Sequence, residues 1–234
     1  MPAPISVVIP TLNAESALPG CAAALYEGLN SGLIREVIIS DGGSQDQTAA
    51  LADELGTVLV TGPASRGGQL GRGCDAAKGD WVLVLHADTQ LDPGWSEIAA
   101  RHMTTAMGDA NTAAYFNLAF DKKGAGAAWT SAWANLRSRL FNLPYGDQGL
   151  LIRRQELIKA GGYRDIPLME DVDLTRRLPA MTRLPAIART SAAKYVQEGW
   201  LRQGAKNLAL LLRFLSGADP SALAQAYRRS SRRS

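Results

Sequence analysis

Cysteine is almost missing from these 234 residues: only Cys21 and Cys74 are present. Two thiols at that spacing make neither a metal-ligand pattern nor a disulfide framework, so a reducing, cytoplasmic setting is expected. No stretch reaches the roughly 18 consecutive apolar residues that a membrane-spanning helix needs. The first residues lead straight into a strand, and no export signal is expected. The G-x-x-x-x-G-K-[ST] loop is absent, which counts against a P-loop NTPase. No G-x-G-x-x-G follows the first strand, which counts against a nicotinamide dehydrogenase. Positive charge is also scarce once it is located. The net +3 includes Arg228, Arg229, Arg232 and Arg233 in the last seven residues, and without them the body carries −1. A broad nucleic-acid footprint is therefore not expected. The arginine tail reads as a solvated, frayed end, with contact to anionic lipid or RNA as the alternative.

What is present is a 46% hydrophobic, 20% charged chain of ordinary globular composition. Its most informative stretch is Trp81 to Asp92, W-V-L-V-L-H-A-D-T-Q-L-D. The unbroken apolar run Trp81–Leu85 suits a strand buried on both faces, as in a parallel sheet covered by helices. It ends in His86, Ala87 and Asp88, at the strand edge where open α/β sheets bind ligands. A carboxylate there can hold a hard divalent cation that clamps phosphates. The competing reading makes Asp88 the cap of a helix starting near Pro93.

The flanking sequence repeats this rhythm. Strands are expected at Ile5–Ile9, Val37–Ser40 and Thr57–Thr61. Helices are expected from about Ser16 to Leu29 and Gln47 to Leu55, with Ser16 or Asn13 capping the first and Asp46 or Ser44 the second. A loop carrying Arg66-Gly67-Gly68 precedes a helix to about Lys78. Gly67, Gly71 and Gly73 faintly echo a phosphate-cradling run. Short connections make the strands parallel with right-handed crossovers, a Rossmann-like half over residues 1–106. The strand ends Pro10-Thr11, Asp41-Gly42, Gly62 and His86-Ala87-Asp88 should then share one sheet edge.

Beyond residue 106 the pattern changes. Ala113–Asp121 partly alternates, as an edge or antiparallel strand does. Lys122–Ala128 reads as a loop. Trp129, Trp133, Leu136 and Leu140 recur at helical spacing and read as core. Pro144–Gly149 is an acid-bearing loop before strand Leu150–Arg153. Glu170, Asp171 and Asp173 open a helix, where its dipole favours acids by roughly 0.3–1 kcal/mol each. Gln203–Leu215 is amphipathic, with Leu208, Leu211, Leu212 and Leu215 on one face. Such a helix ordinarily packs on its domain, and lying on a membrane surface is the alternative. No internal repeat or linker is found, so residues 1–234 are expected to form one domain: a Rossmann-like half (1–106), a second half of changed rhythm (107–200) and C-terminal amphipathic helices with a basic tail (201–234).

The order of these features resembles glycosyltransferase family 2, the GT-A-fold family of inverting, nucleotide-sugar-dependent enzymes. The matching stretches are I-S-V-V-I-P-T-L-N-A-E, E-V-I-I-S-D-G-G-S-Q-D-Q-T, S-R-G-G-Q-L-G-R-G, L-H-A-D-T, Y-G-D-Q-G-L-L-I-R-R and L-M-E-D-V-D-L, from about Ile5 to Leu178. The closest likeness is to a bacterial subset whose acidic motif reads His-Ala-Asp. The resemblance implies a mostly parallel sheet with flanking helices and a smaller antiparallel part. It implies that Pro10, Thr11 and Glu15 line the nucleoside pocket, that Asp41 accepts a hydrogen bond from the base, and that Arg66, Gly67 and Ala87 lie along the nucleotide. Asp88, with His86 beside it, would ligate Mn²⁺ or Mg²⁺ at the diphosphate. Asp171 would be the general base, helped by Glu170, and Asp147 and Gln148 would contact the sugar or acceptor.

Three positions depart from that pattern. His86 stands where the D-x-D motif has its first acid, and imidazole suits Mn²⁺ better than Mg²⁺. Leu12 stands where relatives carry a base-stacking Tyr. Ser191–Tyr195 is the nearest counterpart of a downstream Q-x-x-R-W-like segment. The expected partners are a nucleoside-diphosphate sugar, UDP-linked, and a hydroxyl acceptor. The leucine-rich helix and arginine tail point to a lipid-borne acceptor and a peripheral contact with the inner face of a membrane. The alternatives are a nucleotidyltransferase, which wants a basic glycine loop after strand one, and a non-catalytic sugar-nucleotide sensor, which has no need of Asp171.

Overall fold

The continuous apolar runs form the centre of one sheet, eight-stranded among the described residues. The computed structural model describes residues 3–106 and 112–231. Arg232 and Arg233 of the basic tail lie outside them, and for Arg228 and Arg229 only the backbone is described. The elements are β1 (Ile5–Thr11), α1 (Leu18–Asn30), β2 (Ile34–Asp41), α2 (Thr48–Glu54), β3 (Val58–Thr61), α3 (Arg66–Ala76), β4 (Trp81–Val84), β5 (Thr89–Leu91), α4 (Trp95–Thr105), β6 (Ala114–Phe120), α5 (Ala125–Phe141), a 3₁₀ turn at Gly146–Gln148, β7 (Leu150–Arg153), α6 (Arg154–Lys159), α7 (Glu170–Thr175), β8 (Thr182–Thr190), α8 (Ala193–Glu198), α9 (Trp200–Leu215) and α10 (Pro220–Ser231).

The strand order is β3-β2-β1-β4-β7-β6-β8-β5. β1 pairs in parallel with both β2 and β4. The chain winds outward from β1 to β3 and then returns to the other side of β1, so the order reverses between β1 and β4. A crevice opens at such a reversal, outside the carboxyl ends of the strands. β7 is antiparallel to β4, and β8 closes the second half against β6 and β5. The core lies on both sheet faces, with Ile5, Val7, Ile9, Leu83, Trp95 and Phe116 in one apolar cluster and Val8, Ile38, Val82 and Ile152 in another. Trp95 is fully buried, and its Nε1–H donates to Ala24 O at 3.0 Å. Burying an aromatic of that size contributes about 5 kcal/mol gross.

Several expectations are corrected. Arg66-Gly67-Gly68 is not a loop but the first turn of α3, whose Ser65 cap accepts from Gly68 N. α1 starts after Ala17 with no side-chain cap. α2 follows Gln47, and Asp46 accepts from Thr48 N at 3.0 Å. Asp88 does not cap α4; the Glu27 carboxylate does, accepting from Gly94 N and Ser96 N. β6 is antiparallel to β7, as one reading of its pattern had it, but is interior to the sheet and not at its edge, and β5 and β8 are additional strands. α5 begins inside the expected loop. Its Trp129, Trp133, Leu136 and Leu140 are not core but exposed, as are Leu208, Leu212 and Leu215 of α9. The basic end is helical to Ser231 in α10.

Candidate active site

Two cavities meet at the strand-order reversal. The first, about 360 Å³, is lined by Pro10 to Ala14 and Ala17 from the end of β1, by Arg66, Gln69 and Leu70 of α3, by His86 to Asp88 and by Glu170. The second, about 320 Å³, is lined by Tyr145 to Asp147, Asp171, Lys194, Tyr195, Gln203 and Tyr227 among others. Arg66, His86 and Asp88 line both, so they form the wall between them. A third groove of about 770 Å³ lies at the opposite edge, beside Pro4, Trp81 and Arg153 where strands begin. That is the edge where open α/β sheets do not bind ligands.

Asp88 and Asp171, 83 positions apart in the chain, face the same cavity. Asp171 sits in the first turn of α7. Its Oδ2 accepts from Gly146 N at 2.8 Å and its Oδ1 from Val172 N at 2.7 Å. No salt bridge to it is formed among the described residues. Glu170, one residue earlier, points the other way: it is 1% exposed and lies 3.2 Å from Arg66 Nε, on the β1 side of the wall. Burial pushes its pKa up to about 7 against the pull of Arg66. The His86 ring rests on Gly146, where a Cβ would meet Nε2 at 2.4 Å. Burial and the Arg66 cation drive its pKa down to about 4, which keeps the imidazole neutral. Burial raises the Asp147 carboxyl to about 6, and its Oδ1 is buried without a hydrogen-bond partner. Gln203 Oε1, in the same cavity, is likewise unpartnered.

Pro10, Thr11, Arg66 and Ala87 line the β1 crevice. Other residues stand apart from it. Glu15 is exposed beside the crevice, its carboxylate accepting from Gln47 N at 2.9 Å. Asp41 is buried, and its two oxygens take hydrogen bonds from Thr11 Oγ1, Ser44 Oγ, Gly43 N and Ser44 N. Gly67 is a packing glycine: its N–H donates to Ile166 O, and a Cβ would stand 2.0 Å from Arg164 O. Gln148 is fully buried, bonded to Ser138 Oγ, Phe116 O and Asn135 Oδ1. Gln69 had not been singled out. Its Nε2 donates to Thr11 O and Ser40 O, tying the ends of β1 and β2 to α3. Its one sequence signal is its place three residues after Arg66 on the same helix face. Lys194 belongs to the Ser191–Tyr195 segment, three of whose residues line the second cavity, whereas Gln203 and Tyr227 carry no motif at all.

The sequence profile of Glycosyl transferase family 2 matches residues 6–156, well over half of the chain. The chain belongs to glycosyl transferase family 2. A curated relative, the PGL/p-HBAD biosynthesis glycosyltransferase of Mycobacterium bovis (strain BCG / Pasteur 1173P2), is 35% identical over 99 residues, 39% of this chain. The matched region spans 38% of that relative's length. Among solved structures, S. aureus TarS 1–349 in complex with UDP superposes with a TM-score of 0.61 at 16% identity, covering 83% of this chain and 62% of that one. Glucosyl-3-phosphoglycerate synthase from Mycobacterium tuberculosis, in complex with Mn²⁺, UDP and phosphoglyceric acid, gives 0.54 at 21% identity, covering 88% and 77%. At these identities the structures establish the fold, a GT-A-like mixed sheet.

Proposed function

We propose that the chain transfers a sugar, with inversion, from a nucleoside-diphosphate sugar (UDP-linked) to an acceptor hydroxyl. The shared wall of Arg66, His86 and Asp88 between two cavities is the observation that carries this reading. The nucleotide lies in the β1 crevice, its diphosphate reaches the wall, and the acceptor enters beside Asp171. The acceptor oxygen attacks the anomeric carbon. The bond from that carbon to the diphosphate oxygen breaks, and the electron pair leaves with the diphosphate. The hydroxyl proton passes to Asp171, whose carboxylate is held in position by two backbone N–H bonds.

Positive charge is needed where the diphosphate departs. The half-exposed Arg66 guanidinium supplies one source, and Glu170 behind it fixes its position. The residues also fit a divalent cation: Asp88 offers a carboxylate and His86 a neutral imidazole, a donor pair that suits Mn²⁺ over Mg²⁺. No group of three or more His, Cys, Asp or Glu gathers among the described residues, so diphosphate and water oxygens would fill the rest of the shell. When bound, the ion would neutralise charge on the leaving group. Asp147 Oδ1 and Gln203 Oε1, both unpartnered, are placed to accept from acceptor hydroxyls. Leu168, Met169 and Leu210 on the same wall suit an acceptor carried on a lipid.

The test has two parts. UDP with Mn²⁺ should raise the melting temperature, because a ligand of the folded state alone stabilises it. Asp171→Asn should keep that shift but lose about 10²–10⁴-fold in sugar transfer or donor hydrolysis. Full turnover by Asp171→Asn would remove it as the base. Nucleotide binding without turnover by the unmodified protein would favour the sensor reading.

A further inference from the structure

A small pocket of about 40 Å³ adjoins the second cavity between α5 and α9, lined by Trp133, Ala134, Leu208 and Leu211 and by Asp147 and Tyr195, which line that cavity too. On either side of its mouth the two helices expose apolar stripes. On α5 these are Trp129, Trp133, Leu136 and Leu140, and on α9 Leu201, Leu208, Leu212 and Leu215, each set at helical spacing. Exposure is large at the outermost positions, 65% for Trp129 and 78% for Leu201. Trp133 of one stripe and Leu208 of the other line the same pocket, which brings the two stripes together. Contiguous apolar surface rimmed by polar residues marks a contact site.

Charge says what the contact is. α5 and α9 together contain Arg137, Arg139, Arg202, Lys206 and Arg213 and no acidic residue, in a protein whose body is near neutral. Arg137 is buried over the Tyr145 ring, and Lys206 pairs with Glu198. Arg139, Arg202 and Arg213 are exposed on the flanks. Tryptophan and leucine on one face, with exposed arginines beside it, is the composition of a helix lying in the interface of an anionic bilayer. No helix among the described residues is long and apolar enough to cross one.

We propose that the α5–α9 face docks on an anionic lipid surface. The membrane contact stands on the patch and its flanking charge, independently of the donor reading given above. The test is flotation of the full chain with phosphatidylglycerol vesicles and with phosphatidylcholine vesicles. The intact protein should float with the first, weakly with the second, and less as salt rises. Trp129→Ser/Leu201→Ser/Leu212→Ser should reduce the bound fraction at least tenfold, and Arg202→Glu/Arg213→Glu should abolish the preference for anionic vesicles. Both variants should keep the melting-temperature shift given by UDP, which shows that they fold. Absence of flotation by the intact protein, or equal flotation of the triple variant, overturns the proposal. So does patch-dependent self-association in sedimentation without vesicle binding, which would make the face a contact between two copies. A missing UDP shift with flotation intact would sink the donor reading and leave the membrane contact standing.

Discussion

Glu170 is the residue whose surroundings make the sharpest demand. Its two carboxylate oxygens are buried without a hydrogen-bond partner, and its one neighbour of opposite charge, Arg66, is half exposed. Burial therefore raises its pKa to about 7, well above the value of an unfolded glutamate. A raised carboxyl pKa means that the folded state holds the proton more tightly than the unfolded chain. Stability from this group is then full below about pH 4.5 and falls as pH rises towards 7 and beyond. Glu170→Gln removes that dependence. The variant should gain on the unmodified protein between pH 5 and pH 8, by about 2 kcal/mol after allowance for solvent screening of Arg66, read as melting temperatures across that range. An unchanged difference at the two pH values would show that Glu170 stays ionised throughout. Gly146 makes a second demand at this scale. Gly146→Ala would drive a Cβ into the His86 ring, so donor affinity should fall while the global fold is kept, a split readable by calorimetry with UDP beside circular dichroism.

Among the elements, α4 is held at its start by a side chain from another helix. Glu27 of α1 accepts from Gly94 N at 2.8 Å and from Ser96 N at 2.9 Å, satisfying donors that a helix N-terminus leaves open. Glu27→Ala should cost about 1 kcal/mol, the usual loss of an N-cap, or a fall of roughly 2–4 °C in melting temperature. The same hydrogen bonds hold the Glu27 carboxyl below its usual range, so the difference should shrink as pH falls below 4. How far the elements could be read in advance follows from their surroundings. β1, β2 and β4 were legible because a strand buried on both faces is a plain apolar run, and their polar ends mark the site edge. β8 was not, because it contains Pro185, which cannot donate to a ladder, and its register with β6 shifts between Tyr115 and Asn117. β5 is three residues long and pairs with β8 alone. The α5 stripe was found at the right spacing but put on the wrong side, since a period of 3.6 tells which residues share a face and not which way that face points. Asp88, Asp171 and Arg66 stood out through their motifs. Gln203 did not, because a single amide on an amphipathic helix has no spacing to give it away.

For the whole molecule, the sheet order divides labour between two halves. β1 and β4 are neighbours in the sheet, though β2 and β3 intervene in the chain. Their ends therefore bring Pro10–Ala14 and His86–Asp88 to one crevice, and α3 closes it through Arg66 and Gln69. The acid-lined cavity is built by later segments: the Gly146–Gln148 turn, α7, α8, α9 and α10. The profile match ends at residue 156, so α7 to α10, which build much of the acid-lined cavity, lie outside it, while nearly all of the β1 crevice lies within it. A nucleotide bound at the crevice should consequently protect one half more than the other. In hydrogen exchange with UDP, amides of residues 11–17 and 85–89 and the start of α3 should slow. Those of α5 and of the exposed side of α9 should exchange as in the free protein, because the wall of Arg66, His86 and Asp88 stands between them and the nucleotide. Slowing confined to residues 195–227 would place the nucleotide in the acid-lined cavity and reverse the assignment of the two sides. Slowing of both halves together would mean that nucleotide binding orders the acceptor wall. Donor binding would then precede acceptor binding, and the order could be checked by measuring acceptor affinity with and without UDP.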